Sequence, residues 1–227
     1  MNISLRPVSA IFKDRATLII REMMRKENKR WSVRELAAAS GTSIGLVSRV
    51  LGLLNQLGLI EGGGRGRSGF TTLKDVGRLL EIWTTQYDFS LNKVTSFYSP
   101  DEAAPKKIIS FLKSKGIHHA LTLHCGANLL TNYFSGEEHH IYVDIENINK
   151  LAEELSANII LKRLASGGNI HFIKPYYKAS AYYKARVLRG VDVVSNLQLY
   201  LDLYRFVPRG NEHAAHLMEK LGNELYE

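Results

Sequence analysis

The chain has 227 residues, 45% hydrophobic and 23% charged. That balance is too apolar and too mixed for disorder, and fits one large or two small globular domains. It carries a net charge of +8, with no apolar run near the ~18–20 residues that cross a bilayer. The opening MNISLRPVSAIFKDRATLII is interrupted by Arg6, Pro7, Lys13, Asp14 and Arg15, so it does not read as a secretory signal. Cys125 is the sole cysteine, which excludes an internal disulfide framework and points to a reducing cytoplasm. The charge is uneven: residues 1–67 hold twelve Lys/Arg against five Asp/Glu, and the rest of the chain 18 against 17. A basic surplus at one end points to a polyanion partner there.

Residues 14–27 place Leu18, Ile19 and Met23 on one helical face, with Met24 beside them and Arg15, Arg21, Arg25 and Lys26 elsewhere. Ser32 followed by Glu35 has capping-box spacing, which predicts a helix over 33–39. Ser40-Gly41-Thr42-Ser43 reads as a turn. A third helix over 44–57 buries Val47, Val50, Leu51, Leu54 and Leu57, and Gly58 closes it. Leu59-Ile60-Glu61 and Phe70-Thr71-Thr72-Leu73 read as strands around a glycine-rich tip, GGGRGRSG. A helix over 74–86 follows, with Val76, Leu79, Leu80 and Trp83 inward. This is the order of a winged helix-turn-helix, assigned to residues 1–88.

The stretch 87–105 reads as the interdomain boundary. Residues 89–227 then form a mixed α+β domain around a central sheet, for which a degenerate nucleotidyltransferase-like fold is one alternative. Helices are expected over 105–115, 126–134, 147–156 and 210–225, and strands over 140–146, 158–163 and 169–174. A strand or helix covers 119–124, 175–190 is unassigned, and 193–205 is a buried strand or helix.

In the helix-turn-helix, Ala37, Gly41, Val47 and Val50 satisfy packing and turn geometry. Function falls on what stays exposed. Thr42 and Ser43 sit at the third helix's positive end, suited to a phosphate. Ser43, Gly45 and Ser48 are small enough to approach a major groove, and Arg49 reaches guanine O6/N7 or a phosphate. Arg65 and Arg67 occupy the wing tip, and Arg34 is placed as a phosphate clamp. The partner these residues imply is double-stranded operator DNA, with no membrane. Lys174, Lys178, Lys184, Arg186 and Arg189 interleave with tyrosines in KPYYKASAYYKARVLR, a candidate secondary nucleic-acid patch or else a core-covering loop with solvated lysines.

Behind such an N-terminus, VVSNLQLYLDLYRFVPRGNEHAAHLMEKL (193–221) resembles the AbiEi-like antitoxins and transcriptional regulators of type IV toxin–antitoxin systems. The matching residues are Val194-Ser195, Gln198-Leu199-Tyr200-Leu201-Asp202-Leu203, Arg209-Gly210 and Ala214-Ala215. The resemblance implies an autorepressor whose C-terminal domain opposes a nucleotidyltransferase-like toxin, a functional rather than a stably bound partner. It carries no catalytic residue set.

Other chemistries are weaker. Asp144 and Glu146 at i and i+2 of a strand are the arrangement that holds Mg²⁺ in nucleotidyltransferases, but the preceding Gly126-Ala127-Asn128 is not the turn such enzymes use. His118, His119, His124, Cys125, His139 and His140 crowd a short span without strong ligand spacing, so no metal or cofactor is assigned. Cys125 has no evident base to make it a nucleophile. The alternatives to a repressor are an enzyme carrying a DNA-targeting module, nucleotidyltransferase-like or nuclease-like, and a ligand-sensing repressor.

Overall fold

A computed structural model of the chain describes residues 9–63 and 69–227. It is mixed α+β and divides into two compact units. The first holds the described residues up to Tyr87 together with Tyr177–Ser180 and Tyr226, and the second holds Asp88–Tyr176, Ala181–Leu225 and Glu227. Among the described residues, no single helix is long and apolar enough to cross a membrane.

In the first unit, a 3-10 turn (Ser9–Phe12) leads into α1 (Asp14–Arg25), α2 (Val33–Ser40) and α3 (Ile44–Gln56). An antiparallel pair follows, β1 (Ile60–Gly63) with β2 (Phe70–Leu73), and then α4 (Val76–Gln86). Trp31 adds a bridge to Thr71, exchanging two backbone hydrogen bonds of 2.8 Å. Ile19, Ile20, Met23, Leu36, Val47, Leu54, Leu59, Leu79 and Trp83 are fully buried. Each such aliphatic contributes ~1.5–3 kcal/mol relative to exposure, which is why helices as short as α2 persist. Arg21 is buried too, its guanidinium 5.0 Å from the centre of the Trp83 ring. Tyr177 donates from its hydroxyl to the Phe12 carbonyl, and the Asp14 carboxylate accepts from the Ala179 and Ser180 amides at 3.0 and 2.9 Å.

The second unit is built on a seven-stranded sheet. Its strands are β3 (Lys93–Tyr98), β4 (His119–Leu121), β5 (His139–Val143), β6 (Lys162–Leu164), β7 (Ile170–Lys174), β8 (Arg186–Leu188) and β9 (Val191–Val193). They lie in the order β6-β3-β7-β5-β4-β9-β8. β5 and β7 run parallel, as do β4 and β9, and the other neighbours are antiparallel. Five helices accompany the sheet: α5 (Ala104–Ser114), α6 (Leu123–Thr131), α7 (Ile148–Ser156), α8 (Asn196–Leu203) and α9 (Gly210–Leu221). Of these, α6, α8 and α9 pack on one another. Parallel pairing places Tyr142 and His140 on the same face as Ile173 and His171, and Ile141 on the opposite face with Phe172.

Several expectations need correction. The predicted boundary contains β3, an inner strand between β6 and β7. Its sequence KVTSFY has little aliphatic signal, and the turn-like Ser99-Pro100 hides its end. The strand expected over 140–146 stops at Val143, so Asp144 and Glu146 are exposed beyond its end. Residues 158–163 are only partly a strand: Ile159 still bonds back to Leu155, and β6 begins at Lys162. The 119–124 stretch is a strand followed by a helix from Leu123, and 193–205 is the end of β9 followed by α8. The final helix ends at Leu221 and continues as a 3-10 turn, Gly222–Tyr226.

Candidate nucleic-acid interface

The turn between α2 and α3 follows from local chemistry. The Ser32 hydroxyl accepts from the Glu35 amide while the Glu35 carboxylate accepts from the Ser32 amide, starting α2 as the capping box predicts. Gly41 ends it at φ 62°, where a side chain would be strained. Buried Ser40 donates to the Leu36 carbonyl at 2.7 Å and lies 2.8 Å from the Thr42 hydroxyl. Ser43 then caps α3, accepting from the Leu46 amide at 3.2 Å. The two helices meet at 111°.

This turn exposes one side of α3. Ser43, Ile44, Gly45, Ser48, Arg49 and Gly52 are exposed, opposite buried Val47, Val50 and Leu54. Ile44, Ser48 and Arg34 line a cleft of about 830 Å³ whose other wall is the β1–β2 ribbon at Gly62, Gly63, Gly69 and Phe70. Gly62 is needed there, since a Cβ on it would fall 2.9 Å from the Phe70 carbonyl. Basic groups sit beside the ribbon: Arg30 lies 4.6 Å from the Phe70 ring centre and Lys29 3.9 Å from that of Trp31.

Not every predicted side chain gathers in this cleft. Arg49 lines a separate groove of about 290 Å³ with Lys13 and Arg15, on the far flank of α3. Thr42 is half-buried and tied to Ser40. Arg65 and Arg67 lie outside the described residues. Of the five cations of the candidate secondary patch, Lys178 belongs to the first unit and the other four to the second. Lys174 pairs with Glu146 at 3.2 Å, and half-buried Arg186 donates to the Asn196 side chain, whereas Lys184 and Arg189 are exposed. Of the interleaved tyrosines, Tyr176 is exposed and Tyr177 buried.

The C-terminal motif forms core. Ser195 caps α8, accepting from the Gln198 amide. Asp202 is fully buried; Gln198 Nε2 donates to it at 2.8 Å and the Tyr142 hydroxyl at 3.1 Å, and the Thr122 hydroxyl donates to its other oxygen. Gln198 and Asp202 lie one helical turn apart, but Tyr142 and Thr122 are 60 and 80 positions from Asp202, so their meeting is invisible to local pattern. A Cβ on Gly210 would lie 2.3 Å from the Leu203 carbonyl, so that position admits only glycine.

The crowded histidines separate. The His119 ring lies 2.7 Å from the Ile117 carbonyl through Nδ1. His124 meets His213 at 2.8 Å, and His213 meets the Thr131 hydroxyl at 2.8 Å. His140 stacks on His171, a residue the sequence reading missed, as it missed His213 and Glu138. Strand register brings His140 to His171, and helix packing brings His124 to His213. Cys125 donates to the Thr122 carbonyl at 3.1 Å, and burial pushes its thiol up to about 11, so it is protonated at neutral pH.

The family model "Transcriptional regulator, AbiEi antitoxin, Type IV TA system" matches residues 72–222, and the chain belongs to that family. No curated protein and no solved structure is a match to it. The matched span begins in β2, leaving α1, α2 and α3 outside it.

Proposed function

We propose that the protein is a cytoplasmic DNA-binding repressor of its own operon. Residues 1–88 act as a winged helix-turn-helix, and residues 89–227 supply antitoxin action against a nucleotidyltransferase-like toxin that need not bind it. The observation that carries this reading is the cleft between the exposed face of α3 and the β1–β2 ribbon. That face is made of Ser43, Gly45 and Ser48, too small to hold α3 off the base edges, with Ile44 beside them to meet a thymine methyl. Arg34 at the cleft wall and Arg65 and Arg67 at the wing contact phosphates, and Thr42 supports the helix start. Arg49 contacts the duplex from α3's far flank. Function is therefore occupancy of a site rather than turnover.

The test is fluorescence anisotropy with DNA from the gene's own upstream region and a scrambled control, across a salt series. Preference for the upstream fragment, with log K falling by ~0.9 per phosphate contact for each unit of log salt, is the expected outcome. Equal, weak binding to both fragments would overturn the proposal.

A further inference from the structure

We propose that Glu138, His140 and His171 form a binding site for a first-row divalent transition ion, Zn²⁺ foremost. His140 and His171 are direct partners in the parallel β5–β7 register, so both imidazoles leave the same face of the sheet from rigid backbone. Their rings stack with centroids 4.4 Å apart and planes 12° apart. Glu138, two residues before His140, brings its Oε2 to 3.8 Å from His140 Nε2 and 4.0 Å from His171 Nε2. All three ligand atoms lie within 4.8 Å of one another.

These separations are too long for hydrogen bonds. An ion with bonds of ~2.0–2.1 Å holds tetrahedral ligands roughly 3.3–3.5 Å apart. For the carboxylate the difference is about half an ångström, which the 51% exposed Glu138 side chain is free to supply, while the two imidazole nitrogens, within 4.8 Å of each other, close the rest by tilting out of their stack. The imidazoles are ready as ligands. Both residues are more than nine-tenths buried, and His171 Nε2 has no hydrogen-bond partner among the described residues. The Ser96 hydroxyl lies 2.9 Å from His171 Nδ1 and so fixes which nitrogen turns toward Glu138, as outer-shell partners do at metal sites. Two imidazoles and one carboxylate favour Zn²⁺, Co²⁺ or Fe²⁺ over Mg²⁺ or Ca²⁺, which take oxygen donors. Three protein ligands leave a fourth position for water or another oxygen donor.

The test uses tag-free, full-length protein stripped with chelator and titrated with Co²⁺, read by its visible d–d bands, then with Zn²⁺ in competition. One saturable equivalent is expected for wild type. Glu138→Gln, which alters a half-exposed side chain and leaves the core intact, weakens binding at least tenfold. His171→Asn abolishes it. Ser96→Ala, a positioning change, weakens it ~10–100-fold. His216→Ala, away from the site, leaves it unchanged. Absence of a saturable Co²⁺ equivalent in wild type, or unchanged affinity in Glu138→Gln, would overturn the assignment. DNA binding is not read, so the result is independent of the operator proposal.

Discussion

Replacing Asp202 with alanine tests whether the family motif is structural. The carboxylate has zero exposure and accepts from Gln198 Nε2, the Tyr142 hydroxyl and the Thr122 hydroxyl. Asp202→Ala leaves three buried donors without this acceptor, at ~1–3 kcal/mol each. The Thr122 hydroxyl can rotate to another acceptor, which places the expected loss at about 3–5 kcal/mol, the range for breaking a buried charged network. Asp202→Asn keeps one carbonyl oxygen and costs less. Urea unfolding followed by circular dichroism measures the loss, and amide exchange of β4, β5 and α8 peptides locates it. Operator affinity, which the proposed function assigns to residues outside this network, is expected to stay within twofold where the protein is folded. A stability change below about 1 kcal/mol together with lost antitoxin activity would refute the reasoning and make Asp202 a functional group.

Three further outcomes are expected. Gly210→Ala forces a Cβ to 2.3 Å from the Leu203 carbonyl and destabilises by ~1–3 kcal/mol; an unchanged urea midpoint would show that the α8–α9 corner yields freely. Burial, reinforced by His124, pulls the pKa of His213 down to about 4. Because this is below the unfolded value of ~6.5, the stabilisation is present above that pH and is lost as pH falls toward 4, by about 2 kcal/mol at pH 5. In metal-free protein compared at pH 7 and 5, His213→Gln should lose about 2 kcal/mol less than wild type, the remaining loss coming from His124, His139, His140 and His171, which burial also holds below their ordinary values. Losing Arg65 and Arg67 together weakens binding to every sequence and lowers the salt slope by ~1.8. Arg49→Ala also weakens binding without changing sequence preference, since Arg49 lines the groove with Lys13 and Arg15; a selective loss on the upstream fragment would place it on base edges.

What the sequence disclosed and what it withheld divide by the range of the interactions involved. The α2–α3 turn was readable because its causes lie within four residues of one another: Ser32 with Glu35, Gly41 at the turn and Ser43 with Leu46. Helices α3 and α4 were readable because their buried residues repeat at helical period. β3 was missed because its burial comes from β6 and β7, which lie far along the chain. The strand expected through Glu146 failed because the hydrophobic alternation continues past Val143 in sequence while pairing does not.

The same distinction explains the histidines. Spacing among His118, His119, His124, His139 and His140 carried no ligand signature, since neighbours in sequence alternate between sheet faces or enter different elements. The arrangement with chemical content joins His140 to a residue 31 positions later, through a register that only the assembled sheet defines. Asp202 and Thr122, 80 positions apart, meet through helix packing instead, where the start of α6 lies against α8. In the three-helix segment the candidate residues are those expected to stay exposed, so composition and periodicity suffice to propose them. In the second unit they are the polar residues that folding buries, and a buried polar residue has no meaning until its partner is known.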